Sequence, residues 1–230
     1  ADTLKLTDPV WRGREAYLRQ KIYRWENIHD DNVIEPTIEA LAPRREVGWN
    51  AETRLKRLEG VGSEAAGTYD PILKEPEDFA ILGKPHLEFD YEEKTRIAEE
   101  MNDVFGDILT FRWNRNIGVN TNPVRFVCFI RGLHQVMLDM MDRPEWLHEV
   151  FTFITENAKL LLDEVEASGE LELTDGETYV GSGGTAYTNQ LPLNDFDGTV
   201  RLKDLWGFAQ SQEYTLVSPG MYDEFGLQYQ

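Results

Sequence analysis

Leu171-Glu-Leu-Thr174, continuing as Asp175-Gly-Glu-Thr-Tyr-Val-Gly-Ser-Gly-Gly-Thr-Ala-Tyr-Thr-Asn-Gln-Leu-Pro192, sets the expectation for the whole chain. Apolar residues alternate at Leu171 and Leu173, as in a short strand, and a glycine-rich polar loop follows at once. That loop carries Asp175, Glu177, Tyr179, Ser182, Tyr187, Thr188, Asn189 and Gln190. Glycines allow backbone N–H groups to approach a bound molecule, and tyrosine, serine and amide groups supply directional hydrogen bonds. The composition suits a loop between strand and helix that holds a ligand. A plain surface loop has the same composition for conformational reasons alone.

Working outward, the segment before Leu171 reads as the longest helix of the chain. Asp142 and Glu145 have capping-box spacing around Pro144, and apolar residues recur at helical spacing from Trp146 to Val165 before Gly169. Such a helix runs about 26 residues, or roughly 39 Å. Ahead of it, Pro123 to Met141 is apolar nearly all round and reads as one buried helix. Asp8-Pro9 starts a helix to about Glu26, and Asp90 with Glu93 starts another that Gly106 ends. Strands are expected over Asn32–Glu39, with Pro36 marking an edge or end, and over Asp107–Trp113. Residues 41–87, rich in charge, Gly and Pro, read as an irregular insertion with short strands and a short helix near Pro76. Leu202 to Ala209 reads as an amphipathic helix, and Ser218-Pro219 caps a final one.

Strand and helix signals alternate, which implies parallel pairing with right-handed crossovers. About three clear strands leave open edges, so the sequence reads as part of something larger.

Composition narrows the function classes. The 230 residues are 41% hydrophobic, enough for a sizeable core. A formal net charge of -19, from 42 acidic and 23 basic residues, repels phosphate backbones and anionic lipid. No apolar run reaches the roughly 20 residues that cross a bilayer, and the expected compartment is the cytoplasm. The single cysteine, Cys128, lies within the apolar run Phe126–Ile130 and reads as a small buried hydrophobe.

Other motifs are weak. Gly181, Gly183 and Ala186 fit a loose dinucleotide fingerprint, but Tyr-Thr-Asn-Gln-Leu-Pro follows where a helix should begin. His29, His86, His134 and His148 are dispersed and have no metal-ligand spacing. Glu35 and Glu39 share a face of their expected strand, Glu35 as a candidate ligand contact; solvated carboxylates are the alternative.

Three segments, Lys74–Leu82, Arg131–His148 and Gln210–Tyr229, together resemble the uroporphyrinogen decarboxylase superfamily, which includes cobalamin-linked methyltransferases. The resemblance implies a (β/α)8, TIM-like barrel, with residues 1–230 as one partial barrel domain whose first strand would precede Ala1 and whose last strands would follow Gln230. It implies a pocket at the C-terminal ends of the strands, lined by Glu35, Asp175, Tyr179, Ser182, Tyr187, Gln190 and Gln212. Gln212 stands where the family places a substrate-contacting serine, and neither the decarboxylase arginine-rich segment nor a His/Cys zinc cluster is present in the sequence.

The expected function is therefore binding of a small organic substrate, with methyl transfer to or from a corrinoid or thiol acceptor in the complete protein. The alternatives are decarboxylation and a non-catalytic binding or structural piece. Zinc and a corrinoid partner are implied for the complete protein only, and the expected partners are a corrinoid protein, the rest of the barrel or a second copy of the chain.

Overall fold

A computed structural model describes residues 3–230 except 32, 58–66, 115–118, 121, 175, 180–184 and 187; residues 54, 55, 57, 68, 114, 119, 120, 176–179, 185 and 186 are described by backbone alone. Helix α1 (Pro9–Asn27) opens where local chemistry dictates: the Val10 and Trp11 amides both donate to the Asp8 carboxylate at 3.0 Å, and Pro9 has no N–H to satisfy. The helix buries none of its residues and meets the rest of the chain through Trp11, whose ring lies 6.1 Å from that of Phe105, and through Arg14, which donates to the Glu39 carbonyl.

Pro36 delays the first strand, since it lacks an N–H for a ladder; its carbonyl instead accepts from the Thr110 amide at 2.9 Å. Strand β1 (Thr37–Leu41) therefore begins one residue later. Residues 42–109 then hold two antiparallel pairs. β2 (Arg44–Val47) pairs with β5 (His86–Phe89), and β3 (Arg54–Arg57) with β4 (Gly67–Asp70). A 3-10 turn at Pro76–Ile81 lies between them in sequence, and α2 (Tyr91–Phe105) follows, its Glu93 amide donating to Asp90 at 2.9 Å. β6 (Thr110–Asn114) returns parallel to β1, with Ile38 opposite Phe111.

The core is helical. The single helix expected over Pro123–Met141 is two, α3 (Pro123–Arg131) and α4 (Leu133–Asp142), after the two-residue strand β7 (Val119–Asn120). Gly132 separates them with φ +88°, a conformation side-chain-bearing residues rarely adopt, and a Cβ there would sit 3.1 Å from Pro71 Cγ. α5 (Pro144–Ala167) does not open with the expected capping box. Asp142 is still the last residue of α4, so Arg143 takes the cap position and makes no side-chain cap bond. α3, α4 and α5 bury Val124, Val127, Ile130, Val136, Leu147, Val150, Phe151 and Ile154 against one another, with Leu73 and Phe225 closing the cluster.

Within this cluster the Arg131 guanidinium meets Asp139 at 2.5 and 3.0 Å, donates to the Leu73 carbonyl at 2.9 Å and to that of Lys74, and lies 5.0 Å from the Trp146 ring. Every charge is taken up, so an ion pair 2% and 1% exposed is tolerated.

The TIM-like barrel is overturned. Among the described residues the strands pair only two by two, in five ladders: β1–β6, β2–β5, β3–β4, β8 (Gly176–Tyr179) with β9 (Thr185–Ala186), and β7 with β10 (Gly207–Phe208). Barrel closure needs each strand bonded on both sides, and three of these ladders are antiparallel pairs that need no crossover. Leu171–Thr174, the expected strand, has no regular structure. Leu171 packs with Val165 and Leu205, and Thr174 Oγ1 accepts from the Trp206 amide at 3.0 Å, so side-chain burial and a bond to a distant part of the same chain hold this segment. The helix expected over Leu202–Ala209 is a 3-10 turn, Leu202–Asp204, followed by β10, which lies parallel to β7. α6 (Pro219–Phe225) opens at Ser218 as expected and ends in a 3-10 turn, Leu227–Tyr229. Among the described residues no helix is long and apolar enough to cross a membrane.

Candidate functional site

Alternation along β2 sends Arg44 and Glu46 to one face and Arg45 to the other, where it pairs with Glu88 of β5 at 2.7 Å. Just beyond, the chain turns sharply at Gly48, φ +95°, where a Cβ would lie 2.5 Å from the Lys84 carbonyl oxygen. Only glycine permits that approach, and the turn carries Trp49 onto the same side as Arg44 and Glu46. The Trp49 ring meets Phe126 of α3 at 5.0 Å, and its indole N–H donates to Glu46.

These residues form one wall of an open cleft of about 680 Å³. The facing wall is α5, whose Ile154, Ala158, Leu161 and Val165 recur at three- and four-residue spacing, with the small Ala158 leaving a recess between larger neighbours. α3 contributes Phe126 and Phe129, and Tyr229 and Gln230 close one end. β5 is fastened to α5 by the Leu87 amide, which donates to Glu164 Oε2 at 2.8 Å, so the two walls are tied together.

Three cations line the cleft: Arg44, Arg125 and Lys159. Arg125 lies 5.0 Å over the Phe129 ring, and Lys159 pairs with Glu156 at 3.1 Å. Arg44 differs: its Nη1 is buried and has no hydrogen-bond partner. Burial pulls the guanidinium pKa down, against the opposing pull of Glu46 and Glu170. Glu170 meanwhile is paired with Lys94 and Glu46 accepts from Trp49. On the α5 wall, Thr155 Oγ1 is also buried without a partner. Each such atom costs about 1–3 kcal/mol, and of the five found among the described residues these two lie on residues that line the cleft, whereas those of Asp204, Glu213 and Tyr214 do not.

At the cleft's end the Tyr229 hydroxyl is hydrogen-bonded to His148 Nδ1 at 2.6 Å, and burial raises the phenol pKa. Cys128, behind the α3 wall, is buried, and desolvation first and Glu213 second push its thiol up to about 12. It stays a thiol at neutral pH.

The residues expected to contact ligand fall elsewhere. Glu35 precedes β1 and lies 3.3 Å from Arg112, which is also 3.9 Å from Glu39. Gln190 is exposed, its amide donating to Thr188 Oγ1 at 3.2 Å. Gln212 opens the 3-10 turn Gln212–Tyr214, and its carbonyl accepts from Thr215 Oγ1 at 2.6 Å. None of these three lines the cleft. Asp175, Ser182 and Tyr187 lie outside the described residues, as does the Tyr179 side chain; the backbone of 176–179 forms β8. Among the described residues no three His, Cys, Asp or Glu side chains gather as a metal-ligand set.

Arg44, Trp49 and Thr155 were missed by sequence reading. Arg44 and Trp49 sit in the stretch read as an insertion, and the apolar stripe of α5 reads as ordinary core. No family model, curated protein or solved structure matches this chain.

Proposed function

We propose that this chain binds a small organic molecule in the cleft between β2, α3 and α5. The observation that carries the reading is the pair of buried, unpartnered polar atoms, Arg44 Nη1 and Thr155 Oγ1, on residues that line a largely apolar recess. Ligand sites commonly combine apolar walls with a few fixed polar groups, in volumes of about 300–1,000 Å³. A ligand that bonded either atom would recover part of what its burial costs.

The test is calorimetric titration of the chain with a set of small aromatic and aliphatic acids, amides and alcohols, on wild type and on Ala158→Phe. The variant fills the recess with an apolar ring at a position facing open space. At least one compound should bind, and Ala158→Phe should weaken it at least about tenfold while leaving urea unfolding unchanged. Absence of binding across the set, or binding indifferent to Ala158→Phe, would reject the site.

Methyl transfer to a corrinoid or thiol acceptor, decarboxylation, and a corrinoid protein or second copy of the chain as partner are further proposals. They rest on the resemblance alone, as does zinc in a complete protein. The cytoplasm as compartment rests on the sequence reading.

A further inference from the structure

The ligand of this cleft can be narrowed by asking which chemistry Arg44 lacks. We infer that the cleft takes an organic acid whose carboxylate is held by Arg44 and whose apolar body lies against Trp49, Phe126 and the α5 stripe; this rests on the ligand-binding reading above.

Three observations carry it. First, a guanidinium presents N–H donors in a planar fork that matches the two oxygens of a carboxylate, and Arg44 Nη1 is buried with nothing to donate to. Its neighbour Arg45 shows the contrast, since it faces the other way and is already paired with Glu88 at 2.7 Å. Of the other cations of the cleft, Arg125 lies over the Phe129 ring and Lys159 pairs with Glu156, and neither has an atom buried without a partner.

Second, the nearest acids do not serve Arg44 as hydrogen-bond partners. Glu46 accepts from the Trp49 indole and Glu170 from Lys94, so both act on Arg44 through the field alone. An incoming carboxylate would supply both the acceptor and a charge at contact distance.

Third, the cleft offers an apolar bed beside Arg44: Trp49, Phe126, Ile154, Leu161 and Val165 line it, together with Glu46, Arg125 and Lys159. A carboxylate laid on the apolar side chains, away from a cation, would be costly to desolvate. Thr155 Oγ1 on the opposite wall can bond one further neutral polar atom, such as a hydroxyl or carbonyl.

The experiment uses matched pairs: 2-naphthoate against 2-naphthamide, and dodecanoate against dodecanamide, titrated by calorimetry into the full chain and into Arg44→Gln, Arg44→Lys and Ala158→Phe. In wild type each acid should bind at least about tenfold tighter than its amide, the size of one charge-assisted bond. Arg44→Gln should bring the acid down to its amide, which still binds. Arg44→Lys, which keeps the charge but loses the fork, should retain only part of the preference and serves in place of Arg44→Gln if that variant does not fold. A wild type that binds acid and amide alike, or an acid preference that survives both Arg44 substitutions, would overturn the carboxylate inference while leaving the cleft as a ligand site. Binding untouched by Ala158→Phe, or none at all, would overturn the site itself and the inference with it.

Discussion

Two arginines, the buried Arg131 and the half-buried Arg44, show what separates the helical core from the cleft. Arg131 is enclosed by α3, α4 and the 73–74 backbone, and its guanidinium meets a carboxylate, two carbonyls and an aromatic face. Arg44 sits on a short strand beside open space, and its Nη1 is buried without a partner. The same side chain thus acts as a strut in one place and an unfilled donor set in the other. Removing a satisfied buried charge leaves its partners stranded, whereas removing an unsatisfied one leaves no partner behind.

The comparison breaks hardest at the core. Arg131→Met should strand Asp139 and the Leu73 carbonyl and cost about 3–5 kcal/mol in urea unfolding. A loss below about 1 kcal/mol would mean that Asp139 finds other donors and that the two arginines differ less than their contacts suggest. Next in size is Gly132→Ala, at the break between α3 and α4. A positive φ and a Cβ 3.1 Å from Pro71 should together cost about 1–3 kcal/mol by the same measurement. An unchanged midpoint would show that the helices re-register without strain.

Asp8→Ala removes the α1 cap and should cost about 1 kcal/mol of helix stability. Because α1 buries none of its residues, the loss should appear as faster amide exchange at Val10 and Trp11, with the global midpoint little changed. A matching fall in the global midpoint would show that α1 is coupled to the core. The smallest effect sharpens the comparison from the other side. Arg44→Met keeps the aliphatic stem and removes the unpartnered donor, so stability should stay within about 1 kcal/mol of wild type or rise. A loss approaching that of Arg131→Met would show that Arg44 is a structural residue.

How much was legible before folding follows the range of the forces involved. Helix starts at Asp8-Pro9, Asp90 and Ser218 could be read directly, because a cap bonds amides two or three residues away and needs no distant partner. The limit shows at Asp142, where the same local motif is present but α4 runs through it and the cap does not form. The expected barrel failed for a related reason. Leu171–Thr174 alternates like a strand, but a strand exists only when another backbone lies alongside, and here Leu171 is buried against Val165 and Leu205 instead.

Sequence by itself determined where most helices begin, that Cys128 lies within an apolar run, and that the surface is strongly acidic, since these depend on neighbours along the chain or on composition. Only the tertiary structure decided that α3 and α4 part at Gly132, that among the described residues strands pair two by two, and that Arg44 and Thr155, more than a hundred residues apart in the chain, line one cleft. The physical reason is that burial without a partner is a property of what surrounds an atom. Arg44 and Arg131 are the same residue in the sequence, and only the packing around each guanidinium makes one satisfied and the other not.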